Sequence, residues 1–266
     1  VLPVAAGAQH RKRCSPHPGG EPSGLDLVTM SEDPQADSLT SRLNQSERAR
    51  LVADIDAALP RVHRYAPATP ILSIPSLDAL ITGHVVLKAE CAQATGSFKI
   101  RGALNVMTQL SSEGADRVIA FSSGNHGIGV AYAAQCLKMS ATIVVPHDAP
   151  EAKVDRIRRL GGEIVWYDRL SEDREQVANA IQDKTPAPLV KPYDDWDTIA
   201  GQGTCGAEVI AQAPGAIDTA IICTGGGGLA ATAPAPVSGE PACPADGGPS
   251  PHESAGPSPL PYRAAA

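Results

Sequence analysis

The sequence contains no long apolar run, no dense cluster of basic residues and no closely spaced pair of cysteines. No stretch approaches the roughly 18 uninterrupted apolar residues of a membrane span, and the first residues lack the apolar centre of a signal peptide. The formal charge of -7 and the lone basic triplet at 11–13 argue against a nucleic-acid partner. We therefore expect a cytoplasmic protein that acts on a small molecule, with neither a nucleic-acid nor a membrane partner.

Several common site motifs are also missing. The six cysteines include no C-x-x-C pair, so the sequence predicts neither a metal site nor a disulfide framework. There is no P-loop lysine motif and no H-E-x-x-H. The chain of 266 residues is nevertheless long enough for one large domain or two modest ones, so that size is no obstacle to an enzyme.

Composition divides the chain into three parts. Residues 1–39 are rich in Gly, Pro, Ser and charge without periodicity, and residues 230–266 are dominated by Pro, Ala, Gly and Ser. We expect both ends to be disordered, because neither can assemble a core. Residues 40–229 alternate helix and strand patterns, which predicts an α/β fold with a parallel sheet and helices on both faces.

The turns of such a sheet are where ligands bind, beyond the carboxyl ends of the strands. A helical pattern covers residues 40–62, and a second helix is predicted to be opened by Ser97. Strand patterns are predicted at 84–90, 117–123, 140–146, 162–168, 188–193 and 218–228. The Gly- and Ser-rich turns of the chain follow several of these strands.

A lysine stands among small residues in the stretch QATGSFKIRGALN, residues 93–105. In one interpretation, Lys99 is an ordinary solvated side chain in the first turn of a helix. In the other, the small residues clear space for a bound molecule and the amine is a nucleophile toward a carbonyl compound. The stretch alone leaves both interpretations open.

Polar residues directly follow a buried strand pattern in the stretch FSSGNHGIG, residues 121–129. Ser122, Ser123, Asn125 and His126 precede a helix, so their side chains and the backbone N–H groups lie at a helix N-terminus suited to an anion such as a carboxylate. An ordinary capped turn is the alternative, because Ser and Asn are common N-cap residues.

Four consecutive glycines, 225–228, follow an apolar strand pattern in the stretch CTGGGGL. Without side chains, several backbone N–H groups can converge there, as phosphate binding requires. The alternative is a flexible linker into the tail. A second glycine pattern, GQGTCG at 201–206, matches G-x-G-x-x-G, but it follows a polar segment and lacks the later acidic residue, so we reject a dinucleotide site there.

Taken together, these segments resemble the fold-type II pyridoxal-phosphate enzymes, and within them the serine/threonine dehydratase and serine racemase family. TGSFKIRGA resembles the lysine motif, SSGNHGIG the substrate and cofactor loop, and GGGGL the phosphate loop; PEAKVDRIRRLGGEIVWYD and AGQGTCGAEV match the pattern between them. The resemblance follows the family's order over residues 40–229. It implies a two-lobed fold of the tryptophan synthase β-subunit-like class.

The resemblance also implies how the chain would hold pyridoxal 5′-phosphate. Lys99 would form a Schiff base with the cofactor, with Phe98 beside its ring and with Gly96 and Gly102 leaving room for it. Asn125 would hydrogen-bond the ring hydroxyl. The phosphate would be held by the residues of the glycine turn, namely Gly225, Gly226, Gly227, Gly228 and Leu229.

Substrate residues follow from the same resemblance. The substrate carboxylate would be received by Ser122, Ser123, Gly124 and His126. Ser123 also matches the position that supplies a proton on the opposite face in racemases. Lys99, once its amine is displaced by the substrate amine, would stay beside the substrate α-carbon and act as a base.

The function implied by the resemblance is dehydration and deamination of a hydroxy amino acid, L-threonine or L-serine, to a 2-oxo acid and ammonia. An amino-acid racemase of the same family and a non-catalytic fragment of the fold are the alternatives. The resemblance implies an amino-acid substrate, and a homodimer is compatible with it. We expect residues 40–112 and 190–229 to form a large lobe that binds the cofactor and residues 113–189 to form a smaller lobe.

One departure from the family pattern lies just after the glycine turn. Pro234 and Pro236 oppose the helix that should follow there, whose N-terminal dipole would assist phosphate binding. The family continues well beyond this point, and this chain does not. We therefore expect a truncated large lobe, and little activity from the chain alone.

Overall fold

A computed structural model describes residues 44–81, 83–122, 124–217 and 219–232, and the backbone of residues 263–265. The predictions for residues 1–39 lie outside this part of the chain, as do those for most of residues 230–266. The described helices are α1 Gln45–His63, α2 Pro75–Asp78, α3 Lys99–Ser112, α4 Asn125–Leu137, α5 Glu151–Arg159, α6 Arg174–Lys184 and α7 Trp196–Gln212. The described strands are β1 Ile71–Ser73, β2 Val86–Lys88, β3 Arg117–Phe121, β4 Ser140–Pro146, β5 Glu163–Tyr167, β6 Thr219–Ile221 and β7 Arg263–Ala265.

Strands β3, β4 and β5 form a parallel sheet in that order. Successive side chains of a strand point to opposite faces, and buried residues of β3 and β4 join two different core clusters accordingly. Ala120 and Ile143 join the main core with residues of α4 and α5, whereas Phe121 and Val144 join a second cluster with Ala178 of α6. The predicted α/β fold with a parallel sheet and helices on both faces is confirmed.

Helix α7 packs against both α3 and α1. Two of its glycines allow this close approach. A Cβ on Gly201 would lie 2.7 Å from the Arg101 carbonyl oxygen of α3, and one on Gly203 would lie 2.6 Å from the Ile55 side chain of α1. The pattern GQGTCG therefore lies inside a helix and serves helix packing, in agreement with the rejection of a dinucleotide site.

Some local predictions were wrong. The strand predicted at 84–90 is shorter, β2, and it pairs antiparallel with β1, a strand that was not predicted, instead of joining the parallel sheet. The strand predicted at 188–193 is reduced to a bridge between Ile119 and Leu189, because Pro188 and Pro192 lack the N–H donors of a ladder. Helix α3 begins at Lys99 after an N-cap at Phe98 that makes no side-chain hydrogen bond, so Ser97 does not open it.

The division into two lobes stays a prediction. The main core runs across residue 112, because Leu104 and Met107 of α3 share it with Val118 of β3 and Val130 of α4. Residues 230–232 form a 3-10 turn with Thr232 buried, and β7 pairs in parallel with β6. Within the described ranges, no helix combines the length and the apolar character needed to cross a membrane.

Candidate active site

Lys99 is the first residue of α3, at the edge of the core. Its Nζ donates a hydrogen bond of 2.8 Å to the Pro192 carbonyl oxygen and lies 5.1 Å from the centroid of the Phe98 ring. Burial lowers the pKa of the Lys99 amine below its ordinary value, because the charged form is poorly solvated there. A larger fraction of this amine is therefore neutral and nucleophilic near neutral pH than of an exposed lysine.

The glycines on either side of Lys99 have different roles. Gly96 has a φ of +74°, a conformation that side chains other than glycine rarely adopt. A Cβ on Gly102 would lie 2.9 Å from the Thr198 carbonyl oxygen. Gly102 thus makes room for helix α7, which differs from the expected role of leaving space for a cofactor ring.

The glycine turn and Lys99 line the same cavity of about 280 Å³. A Cβ on Gly226 would overlap the Tyr193 ring, and Gly227 has a φ of +79°. Among the described residues, none accepts a hydrogen bond from the backbone N–H groups of residues 225–228. The cavity is lined by Phe98, Lys99, Cys223, Thr224, Gly225, Gly226, Gly227, Gly228 and Leu229.

The Ser/Asn turn lies at the N-terminus of α4. The Gly124 N–H donates to Ser122 Oγ at 3.1 Å, and Gly124 is an N-cap without a side-chain hydrogen bond. Asn125 is exposed and is not among the residues that line the cavity. Ser123 lies outside the described residues. Helix α4, which follows the turn, packs closely against the start of α3, since a Cβ on Gly129 of α4 would lie 3.3 Å from the Lys99 carbonyl carbon.

His126 is buried, with only 3% of its surface exposed. Its Nε2 lies 3.0 Å from the Val190 carbonyl oxygen, which requires a donor, so Nε2 carries the proton. Burial and, to a smaller extent, the charge on Lys99 lower the pKa of His126, and they outweigh the hydrogen bond to Val190, so that the pKa is about 4. In the neutral ring Nδ1 can only accept a hydrogen bond. This geometry favours a role for His126 in holding α4 to Val190 over the carboxylate contact implied by the resemblance.

A buried ion cluster two residues after Lys99 was not predicted from the sequence. Arg101 is fully buried and forms a fork with Glu90, at 2.7 and 2.8 Å, and another with Glu208, at 2.6 and 2.8 Å. Lys88 Nζ lies 2.6 Å from Glu208 Oε2, and His63 Nε2 lies 2.7 Å from Glu208 Oε1. The cluster joins the first turn of α3 to α1, β2 and α7.

Each charged group in this cluster stabilises the charged form of its partners. Burial alone would raise the pKa of Glu208, but the hydrogen bonds from Arg101 and Lys88 outweigh it and hold the pKa at about 2. The same contacts outweigh burial at the guanidinium and raise the pKa of Arg101. The partners are 11 and 107 residues away from Arg101 in the sequence, so no local pattern could have predicted them.

Comparison with known proteins places these residues in context. Residues 63–237 match the family described as pyridoxal-phosphate dependent enzyme. A serine racemase of Oryza sativa subsp. indica is 43% identical over 179 residues, which cover 67% of this chain and 52% of that protein. An L-threo-3-hydroxyaspartate ammonia-lyase of Pseudomonas sp is 42% identical over 177 residues, covering 66% of this chain and 55% of that protein.

Solved structures agree with the sequence comparison. The crystal structure of the T.th. threonine deaminase superposes with a TM-score of 0.63 at 44% identity, covering 69% of this chain and 59% of that one. The chain thus spans about half the length of the curated relatives it matches. Their names include both a lyase and a racemase.

Proposed function

Because the chain belongs to the pyridoxal-phosphate-dependent enzyme family, with the fold of its fold-type II members, we propose that it takes part in the dehydration and deamination of a hydroxy amino acid, L-threonine or L-serine, to a 2-oxo acid and ammonia. The observation that carries this proposal is one cavity lined by both Lys99 and the glycine turn. A primary amine and a cluster of free backbone N–H groups are the groups that an aldehyde and a phosphate require.

The residues present fit pyridoxal phosphate at two points. The pKa of the Lys99 amine is lowered by burial, which favours its reaction with an aldehyde carbon. In the glycine turn, a side chain at Gly226 would overlap Tyr193 and one at Gly228 would lie 2.5 Å from Gln202 Oε1. Backbone N–H groups that carry no side chains can approach phosphate oxygens closely. Phe98, beside Lys99, would contribute an apolar wall.

Different residues of the chain would then perform different parts of the reaction. When bound, the cofactor supplies an electron sink for the negative charge that develops at the substrate α-carbon. Lys99 Nζ, displaced by the substrate amine, would take the proton from the α-carbon. The first N–H groups of α4, with Ser122 and Gly124 beside them, would bind the substrate carboxylate at the positive end of that helix.

A racemase is the second candidate, because a serine racemase is among the relatives at 43% identity. Racemisation needs a proton donor on the face of the α-carbon opposite Lys99. Ser123 is the residue predicted for that position. The two candidates therefore share a cavity and differ in the fate of the substrate after the α-proton is removed.

Product analysis tests the proposal. The chain is incubated with pyridoxal phosphate and L-threonine or L-serine, and the 2-oxo acid, ammonia and D-enantiomer are measured. We expect 2-oxo acid and ammonia in equal but small amounts from the chain alone, none from Lys99→Ala, and parental amounts from Lys184→Ala, which removes an exposed lysine of α6. D-Amino acid as the main product would favour the racemase. Absence of every product would contradict catalysis by this chain and favour a non-catalytic fragment.

A further inference from the structure

Gln202 of α7 is fully buried and packs against Gly228, one of the residues that line the cavity. Its Nε2 donates to the Pro192 carbonyl oxygen at 3.3 Å. The same carbonyl oxygen accepts the 2.8 Å hydrogen bond from Lys99 Nζ. The carboxamide of Gln202 and the amine of Lys99 therefore share one acceptor.

The other end of the Gln202 carboxamide faces the glycine turn. A Cβ on Gly228 would lie 2.5 Å from Gln202 Oε1, so this oxygen is packed directly against the Gly228 backbone. Gln202 Oε1 has no hydrogen-bond partner among the described residues. One side chain thus reaches from the acceptor of the Lys99 amine to the turn predicted to hold the phosphate.

The orientation of the carboxamide is determined by the Pro192 carbonyl. That oxygen can only accept, so the NH₂ group must face it and Oε1 must face the turn. A buried oxygen without a donor is costly, and the turn against which Oε1 packs has free donors, since its N–H groups at residues 225–228 have no acceptor among the described residues. An unpaired acceptor is thus packed against a turn whose N–H groups are unpaired among the described residues.

We propose that Gln202 is a positioning residue of this site, which couples the glycine turn to the Lys99 amine through the Pro192 carbonyl. When a bound anion orders the glycine turn, Gln202 Oε1 accepts a hydrogen bond from one of its N–H groups and so aligns the turn. Nε2 keeps the Pro192 carbonyl paired when Lys99 Nζ leaves to react. This inference rests on the proposed function and adds to it a residue from the pattern GQGTCG, whose glycines bring α7 close enough to place Gln202 there.

The first test measures Lys99 in the chain without cofactor. Trace acetic anhydride and peptide mapping give the acetylation rate of each lysine as a function of pH. In Gln202→Leu, Lys99 is the sole remaining donor to the Pro192 carbonyl among the described residues, so we expect its rate to fall about fivefold, the effect of one net hydrogen bond. Gln182→Leu is the matched control, since Gln182 Nε2 also donates to a backbone carbonyl, that of Ala187 at 2.8 Å.

The second test measures the turn with pyridoxine 5′-phosphate, which carries the phosphate but no aldehyde. We expect Gln202→Leu to weaken binding about tenfold. Gln202→Glu keeps the shape of the side chain but places a carboxylate beside the bound anion. Its affinity should fall further at pH 8 and recover toward pH 5.5 as the buried carboxyl group is protonated, a pH profile that a purely structural role would not produce.

The two tests separate this inference from the proposed function. Folded variants at residue 202 whose Lys99 acetylation rate and pyridoxine phosphate affinity stay within twofold of the parent would overturn the inference. A pH-independent loss in Gln202→Glu would also overturn it. A parent chain that makes no 2-oxo acid would contradict the proposed function, whereas a fall in Lys99 acetylation would still support the coupling, because that measurement needs neither cofactor nor turnover.

Discussion

The buried histidine beside Lys99 carries a prediction about acid stability. His126 has a pKa of about 4 in the folded chain against an ordinary value of 6.5. Between these pH values the unfolded chain binds a proton that the folded chain does not, so the free energy of unfolding decreases as the pH falls through this window. The difference between these two pKa values corresponds to a loss of about 3 kcal/mol in the free energy of unfolding.

The measurement is urea unfolding between pH 7 and pH 4. His126→Gln keeps a donor for the Val190 carbonyl but cannot titrate, so we expect a shallower loss of stability on acidification than in the parent. His84→Gln is the control, because the His84 side chain is 91% exposed, and its slope should match that of the parent. Equal slopes for the parent and His126→Gln would contradict the assignment of a neutral buried His126.

Arg101 is expected to make a large contribution to stability as a single residue. Arg101→Met would leave Glu90 and Glu208 without their fork partner inside the protein, and removing one partner of a buried ion pair costs about 3 to 5 kcal/mol. Arg117→Met removes an arginine from an exposed pair with Asp116 at 3.2 Å and should cost less than about 1 kcal/mol. Urea unfolding at pH 7 compares them. A loss below about 1 kcal/mol for Arg101→Met would show that the cluster is not a closed ion pair in solution.

Helix packing brings Gln202 and Lys99 to the same acceptor, the Pro192 carbonyl oxygen. Gly201 brings α7 against α3 at the turn that follows Lys99, and a Cβ there would lie 2.7 Å from the Arg101 carbonyl oxygen and from Asn105 Cβ. Because both neighbours are buried, a methyl group cannot be accommodated without moving one helix. Contact between the helices is therefore a condition for the site.

Gly201→Ala tests this contact. We expect a loss of about 1 to 3 kcal/mol in the free energy of unfolding, as for other overpacked cores. The control is Gly215→Ala, at a residue after α7 where a Cβ meets nothing within 4 Å, and it should be nearly neutral. If both variants unfold at the same urea concentration as the parent, α7 does not pack against α3 as described.

Elements with a strong local pattern could be predicted from the sequence. The strands β3, β4 and β5 and the helices between them follow from apolar runs bounded by Gly and polar residues, and the turn at 225–228 follows from glycine content alone. The start of α3 could not be predicted from Ser97, because the chain is already helical at Phe98, with φ of -61°. Ser97 Oγ instead lies buried without a partner among the described residues.

The parts of the site that depend on the whole molecule were not predictable from local pattern. The Pro192 carbonyl that binds Lys99 is 93 residues away in the sequence. Every residue has a backbone carbonyl, so the residue type does not reveal which one accepts this hydrogen bond. The role of Gln202 depends on how α7 packs against α3 and the glycine turn. Long-range packing decides such contacts, so composition and periodicity carry no signal for them.

At the scale of the whole molecule, the central claim is that Lys99 and the glycine turn form one cofactor site. The most direct measurement is reduction of the chain with borohydride in the presence of pyridoxal phosphate, followed by peptide mapping. We predict a single stoichiometric label on Lys99, lost in Lys99→Ala and greatly weakened when Gly226 is replaced by a bulkier residue. A label spread over Lys88, Lys138 and other lysines, or no label on Lys99, would contradict the account.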